Sequence, residues 1–112
     1  MQETPSLRLL YENDEGLAYV QILDLDGETK NIIHSYFKVE KTLETIKKAR
    51  EISMLIDEAF KHHGIERLYT WSTNNEEKQY AEFMGYSLTG RQVVFEGWEG
   101  PPILEYVKEL NH

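Results

Sequence analysis

Apolar and polar positions along this chain change period twice, and the changes divide it into elements. Leu7 to Tyr11 forms a short apolar run that stops at the turn-forming Asn13-Asp14-Glu15-Gly16. From Leu17 to Leu25 the residues alternate, with Ala18, Val20 and Ile22 on one side of an extended backbone. Asp26-Gly27 follows, a dipeptide suited to the positive backbone angles of a tight hairpin. The next run, Lys30 to Phe37, carries Ile32, Ile33, Tyr36 and Phe37. Three strands joined by short turns predict an antiparallel meander.

At Leu43 the period lengthens. Leu43, Ile46, Ala49, Ile52, Ile56, Ala59 and Phe60 recur every three or four residues, which predicts a long helix whose apolar stripe covers one face of the sheet. Thr42 or Thr45 is placed to open it, and Lys61-His62-His63-Gly64 to close it, a basic last turn followed by a glycine. Ile65 to Trp71 reads as a strand, apolar enough for a central position. Ser72-Thr73-Asn74-Asn75 is a loop able to cap a short second helix, with Glu76 and Glu77 where the helix dipole favours acids. That helix places Tyr80, Phe83 and Met84 on one side and stops at Gly85. Tyr86 to Leu88 and Arg91 to Trp98 are candidate strands around Thr89-Gly90, residues 97–102 form a turn, and Ile103 to Leu110 reads as a final strand whose composition also supports a helix. The order predicts an α/β (α+β) fold: a mixed, mostly antiparallel sheet with one long and one short helix, in a single domain over residues 1–112.

Composition narrows the function classes. The 112 residues are 40% hydrophobic and 12% aromatic, enough for one modest core. With no cysteine, neither a disulfide framework nor a thiolate metal site is available. His62-His63 suggests no metal site either, since adjacent helical residues point about 100° apart. Met1-Gln2-Glu3-Thr4-Pro5 shows no basic or apolar leader, and no apolar run nears the roughly 20 residues of a membrane span. The expectation is a soluble, cytoplasmic protein without a membrane partner. A net charge of −8 disfavours a nucleic-acid partner, because phosphate neutralisation needs a basic face.

That charge is uneven. Residues 1–28 hold seven acids and one base, whereas residues 29–50 hold six bases (Lys30, Lys38, Lys41, Lys47, Lys48, Arg50) and two acids. The positive segment spans the step from the third strand into the long helix, and a helix N-terminus at the C-terminal end of a strand suits an anionic, phosphate-bearing ligand. Two readings stay open: an anion site, or the ordinary charged surface of a helix.

The element order resembles the GNAT superfamily of acyl-CoA-dependent N-acyltransferases, without its usual N-terminal helices. Met54-Leu55-Ile56-Asp57-Glu58-Ala59-Phe60 followed by Gly64-Ile65 looks like the end of that family's cofactor helix. Asn74, a short helix and Gly85-Tyr86 resemble the family's next segment, with Thr89-Gly90 as its usual sequel. His34-Ser35-Tyr36-Phe37, with Lys47-Lys48-Ala49 downstream, is similar to divergent members of bacteria and their phages. The resemblance implies transfer of an acetyl group from acetyl-CoA to an amine. It also marks two departures. The family's glycine-containing diphosphate loop has no counterpart, since no glycine occurs between Gly27 and Gly64 and the matching stretch runs from Glu40 to Lys48. The tyrosine that often protonates the leaving thiolate aligns with Ala81, one residue from Tyr80.

On that reading the catalytic candidates are His34 as base with Tyr36 and Tyr80 as acid or polar contacts; Tyr69 is a further tyrosine able to line the cleft. The cofactor candidates are Phe37, Lys38, Lys41, Lys47 and Lys48, with Asn74 as a hydrogen-bonding contact or simply a helix cap. Trp71 and Trp98 are core or interface anchors. The rival reading is a catalytically inactive GNAT-fold protein whose acidic surface binds another protein or serves a structural role. Pairing of two copies through the C-terminal strands, a homodimer, is a third.

Overall fold

The computed structural model describes residues 6–25 and 27–110; Asp26 of the expected hairpin and residues 1–5 lie outside them. Six strands and two helices run in the order β1 (Ser6–Glu12), β2 (Gly16–Leu25), β3 (Glu28–Phe37), α1 (Leu43–His62), β4 (Arg67–Ser72), α2 (Asn75–Phe83), β5 (Ser87–Val93) and β6 (Ile103–Glu109). They form one sheet in the order β1-β2-β3-β4-β6-β5, antiparallel except where β3 meets β4. The parallel pair follows from α1, which carries the chain back so that β4 starts at the same end as β3.

Cross-strand pairs assign the faces. Val20 opposite Ile33 and Thr70 opposite Tyr106 point to the inner face, whereas Tyr19 opposite His34 and Trp71 opposite Glu105 point to the outer one. Both helices lie against the inner face. Ala81 and Met84 of α2 join Val20, Ile33, Leu68, Tyr86, Tyr106 and Leu110 in the core, with Ala49 and Phe60 of α1 packed at its margin.

The long helix departs from expectation in one respect that matters. None of its residues is fully buried. Its half-buried stripe includes Ile46, Ala49, Ile52, Ser53, Ile56 and Phe60, while Leu43 and Ala59, assigned to the apolar face from their spacing, are exposed. Ala49 and Ser53, small residues at the middle of the stripe, leave space between the helix and the sheet.

A reciprocal cap starts α1. Thr42 Oγ1 accepts from the Thr45 N–H at 3.2 Å, and Thr45 Oγ1 accepts from the Thr42 N–H at 2.9 Å. Thr42→Ala removes one of these bonds and should lower the unfolding free energy by about 1 kcal/mol in chemical denaturation. At the other end Gly64 takes the left-handed φ of 82° expected of it.

The C-terminal strands differ from the sequence-based division. Thr89-Gly90 does not separate two strands; it forms a bulge inside β5, where the register to β6 shifts between Leu88 and Gln92. The Thr89 hydroxyl stabilises the bulge, accepting from the Arg91 N–H and lying 3.3 Å from the Glu105 carbonyl. β5 ends at Val93, so Val94 to Trp98 is not strand; this stretch turns, and brings Phe95 edge-on to Trp71 on the outer face.

Candidate active site at the parted strands

Pairing within the sheet is uneven. β2 and β3 match at ten consecutive residues and β4 and β6 at six, but β3 and β4 are in register only at Ile32 and Tyr69. The Thr70 hydroxyl donates to the Ile33 carbonyl at 2.8 Å, and beyond that point the two strands part. A cleft of about 400 Å³ occupies the opening and runs on beneath α1.

Its lining includes five consecutive residues of β3: Ile33, His34, Ser35, Tyr36 and Phe37. Neighbours on a strand point their side chains to opposite faces, so side chains of both faces, as well as backbone, border this edge. Contact with all five places the cleft along the open edge of β3. Thr70 and Trp71 line it from β4, Thr45, Lys48, Ala49, Ile52 and Ser53 from α1, and Glu77, Tyr80 and Ala81 from α2.

His34 lies half-buried on the outer side of this edge. Its Nε2 is 2.9 Å from Gln21 Oε1, and its ring stacks on Tyr19 and meets the edge of Trp71. An amide oxygen facing Nε2 requires the proton on that nitrogen, which leaves Nδ1 as the ring's acceptor. Burial pushes the imidazole below its ordinary value of 6.5, and the charge of Glu77 offsets part of the shift. The ring is therefore neutral at pH 7. Tyr36 is largely exposed and stacks on Tyr19, with their hydroxyls 3.5 Å apart. Burial and then Tyr36 push the Tyr19 phenol up to about 12.

Tyr80 faces the same cleft from α2, edge-on to Phe37. Burial raises its pKa while a hydrogen bond with Ser35 lowers it, so at neutral pH it keeps its proton. Tyr69 points elsewhere, its hydroxyl donating to Glu28 on the outer face.

The polar cofactor candidates divide. Lys41 and Lys48 line the mouth, whereas Lys38, Lys47 and Asn74 are not among the lining residues. Lys41 is held 2.9 Å from Glu76 and lies over the Phe37 ring. Lys48 lies 3.7 Å from Glu15 and 3.6 Å from Glu44, and Lys38 is paired with Glu12 at 2.7 Å. Asn74 is the N-cap of α2, accepting from the Glu77 N–H. Leu43 and Ile46 do not line the cleft, so neither closes it.

Some residues of the site escaped sequence reasoning. Gln21, which meets His34 without lining the cleft, was hidden because a polar residue on a strand has no signature of its own. Ser53 and Ala49 carried a signal, two small side chains in an otherwise bulky stripe. Trp71 Nε1 is buried with no acceptor, and Asp57, paired with Lys108 through Oδ2, leaves Oδ1 without a donor. Burial pushes the Asp57 carboxyl up, against the pull of Lys108.

A mixed sheet with parted parallel strands, and helices on the face beneath the opening, is an arrangement that solved structures share. The chain is similar to an N-acetyltransferase from Staphylococcus aureus Mu50 (19% identity, TM-score 0.64, covering 89% of this chain and 64% of that one). It is also similar to the spermidine N-acetyltransferase SpeG, as its F149A mutant, from Vibrio cholerae (14%, 0.63, 93% and 64%). A third likeness is to an aminoglycoside 6'-N-acetyltransferase from Enterococcus faecium (14%, 0.58, 89% and 77%). The fold is GNAT-type, and the chain spans about 64% of the length of the Staphylococcus enzyme. No protein-family model and no curated protein matches the sequence. Among the described residues no helix is long and apolar enough to cross a membrane, and no group of three or more His, Asp or Glu is placed to hold a metal ion.

Proposed function

We propose that this domain transfers an acyl group from a thioester, of which acetyl-CoA is the type the fold suggests, to an amine. The observation that carries the reading is a histidine held neutral at the open edge of β3, inside a cleft that also contains a protonated tyrosine. His34 takes a proton from the attacking amine as its nitrogen bonds to the acyl carbon. The carbon–sulfur bond breaks, and Tyr80 gives its proton to the departing sulfur. The products are an amide and a free thiol, and the proton on His34 returns to Tyr80 through solvent. Phe37 and the parted edge flank the donor's thioester arm. The likeness to spermidine and aminoglycoside acetyltransferases, together with the net charge of −8, supports a cationic amine as acceptor.

The residues fit the thioester arm of acetyl-CoA better than its phosphates. The cap occupies two N–H groups of the first turn of α1, and Lys38, Lys41 and Lys48 already face carboxylates. This favours a second reading, an inactive scaffold, under which no thioester is consumed.

The test is thiol release from acetyl-CoA in the presence of polyamines and aminoglycosides. His34→Gln should lower kcat by about 10²–10⁴-fold. Because the folded pKa of His34 is depressed, the wild-type rate should be full above about pH 6.5 and fall only below it. A rate that His34→Gln leaves unchanged, or an acid limb above that value, removes His34 as the base.

A further inference from the structure

We propose that the acyl donor is recognised through its thioester arm alone, so that a pantetheine thioester lacking the nucleotide serves about as well as acetyl-CoA. The inference rests on the transferase reading and concerns the donor side of the same cleft.

An anion at a helix N-terminus is held by free backbone N–H groups, reinforced by cations without other partners. At α1 both conditions are weakened. The Thr42 and Thr45 N–H groups are consumed by each other's hydroxyls. No glycine occurs between Gly27 and Gly64, so every residue of the turn carries a side chain between backbone and ligand. The cations at the mouth are matched by acids from three directions: Glu76 of α2 on Lys41, Glu15 of the β1–β2 turn on Lys48, and Glu44 of the helix itself on Lys48. A diphosphate docking here meets Glu15, Glu44 and Glu76 as well as the lysines they neutralise.

The other end of such a donor meets a built slot. A pantetheine arm is a chain of two amides ending in the thioester, and an open strand edge offers alternating N–H and C=O groups to amides. From Ser35 to Phe37 the side of β3 that faces β4 has no strand to pair with. The cleft of about 400 Å³ stands at the small end of the ~300–1,000 Å³ range of ligand sites, which suits an arm better than an arm with its nucleotide.

The same arm can arrive free or attached to a carrier protein, and the experiment separates the two. With the full chain and one amine, kcat/KM is measured for acetyl-CoA, S-acetyl-pantetheine and an acetylated phosphopantetheinyl carrier protein. S-acetyl-pantetheine within about tenfold of acetyl-CoA supports the proposal. A loss of roughly a thousandfold overturns it, because remote binding energy would then be driving the reaction. Turnover of the carrier form names the carrier as the source, and its rejection names a free thioester. Calorimetry with adenosine 3′,5′-bisphosphate supplies a readout independent of catalysis: no saturable heat at millimolar ligand is expected, and micromolar binding overturns the proposal. Thiol release from no donor at all defeats the transferase reading and this inference together; turnover of acetyl-CoA alone defeats only the inference.

Discussion

Lys30→Met should cost this domain about 3–5 kcal/mol of unfolding free energy, several times the loss expected of Thr42→Ala. Lys30 is 3% exposed and its ammonium lies 2.8 Å from a Glu105 carboxylate that is equally buried. Around the pair, the Tyr69 ring sits 4.5 Å from the ammonium and the Thr89 hydroxyl donates to the second carboxylate oxygen at 3.0 Å. Removing the lysine leaves a carboxylate in a dry site with one hydroxyl for company. A domain of this size has a total stability of only about 5–15 kcal/mol, so the variant should be partly unfolded near 37 °C. The double variant Lys30→Met, Glu105→Leu removes both charges and should recover to within about 1 kcal/mol of wild type, since apolar replacement of a buried pair is often neutral. Urea titrations of the three proteins decide it. If Lys30→Met alone is neutral, the pair is not buried in solution.

That ion pair illustrates what the sequence conceals. Lys30 falls in the positive segment and reads there as one more surface charge, yet its position on β3 places it opposite Leu23 on the outer face, 75 residues from its partner in sequence. No local pattern encodes a partner at that separation. The elements themselves were legible because each has its own period. Alternation around Ala18, Val20 and Ile22 marks β2, three-and-four spacing marks α1, and Asn74 with Gly85 bounds α2. Local pattern misleads at Thr89-Gly90, where glycine carries two meanings, a turn or a bulge, and only the partner strand chooses between them. The cleft was half legible. His34 and Phe37 stand out because they precede the helix on a strand end, and Tyr80 because it neighbours an expected position. The neutralisation of Lys38, Lys41 and Lys48 was not visible, since Glu12, Glu15 and Glu76 come from other parts of the chain. A segment that is basic in sequence becomes nearly balanced once folded.

The second large effect tests whether the space beneath α1 is used. Ser53 lines the cleft from the middle of the helix, where its small side chain leaves space between α1 and the sheet. Ser53→Phe places a ring in that space. Serine and phenylalanine have similar helix propensity, and the added apolar surface goes into a cavity lined by Ala49, Ile52 and Ile56. The fold should therefore be kept, with a melting temperature equal to or above that of wild type. On the transferase reading proposed above, acyl transfer should fall by about a hundredfold or more, because displacing a reacting group by even 1 Å from its working geometry carries a loss of that order. The pairing of retained stability with lost turnover is what distinguishes a blocked site from a damaged core. Should Ser53→Phe transfer acyl groups within about threefold of wild type, the donor does not run between α1 and β3. A result in the other direction, lost stability with lost activity, would mean that the helix already packs more closely against Ile33 and Phe37 than the cleft implies.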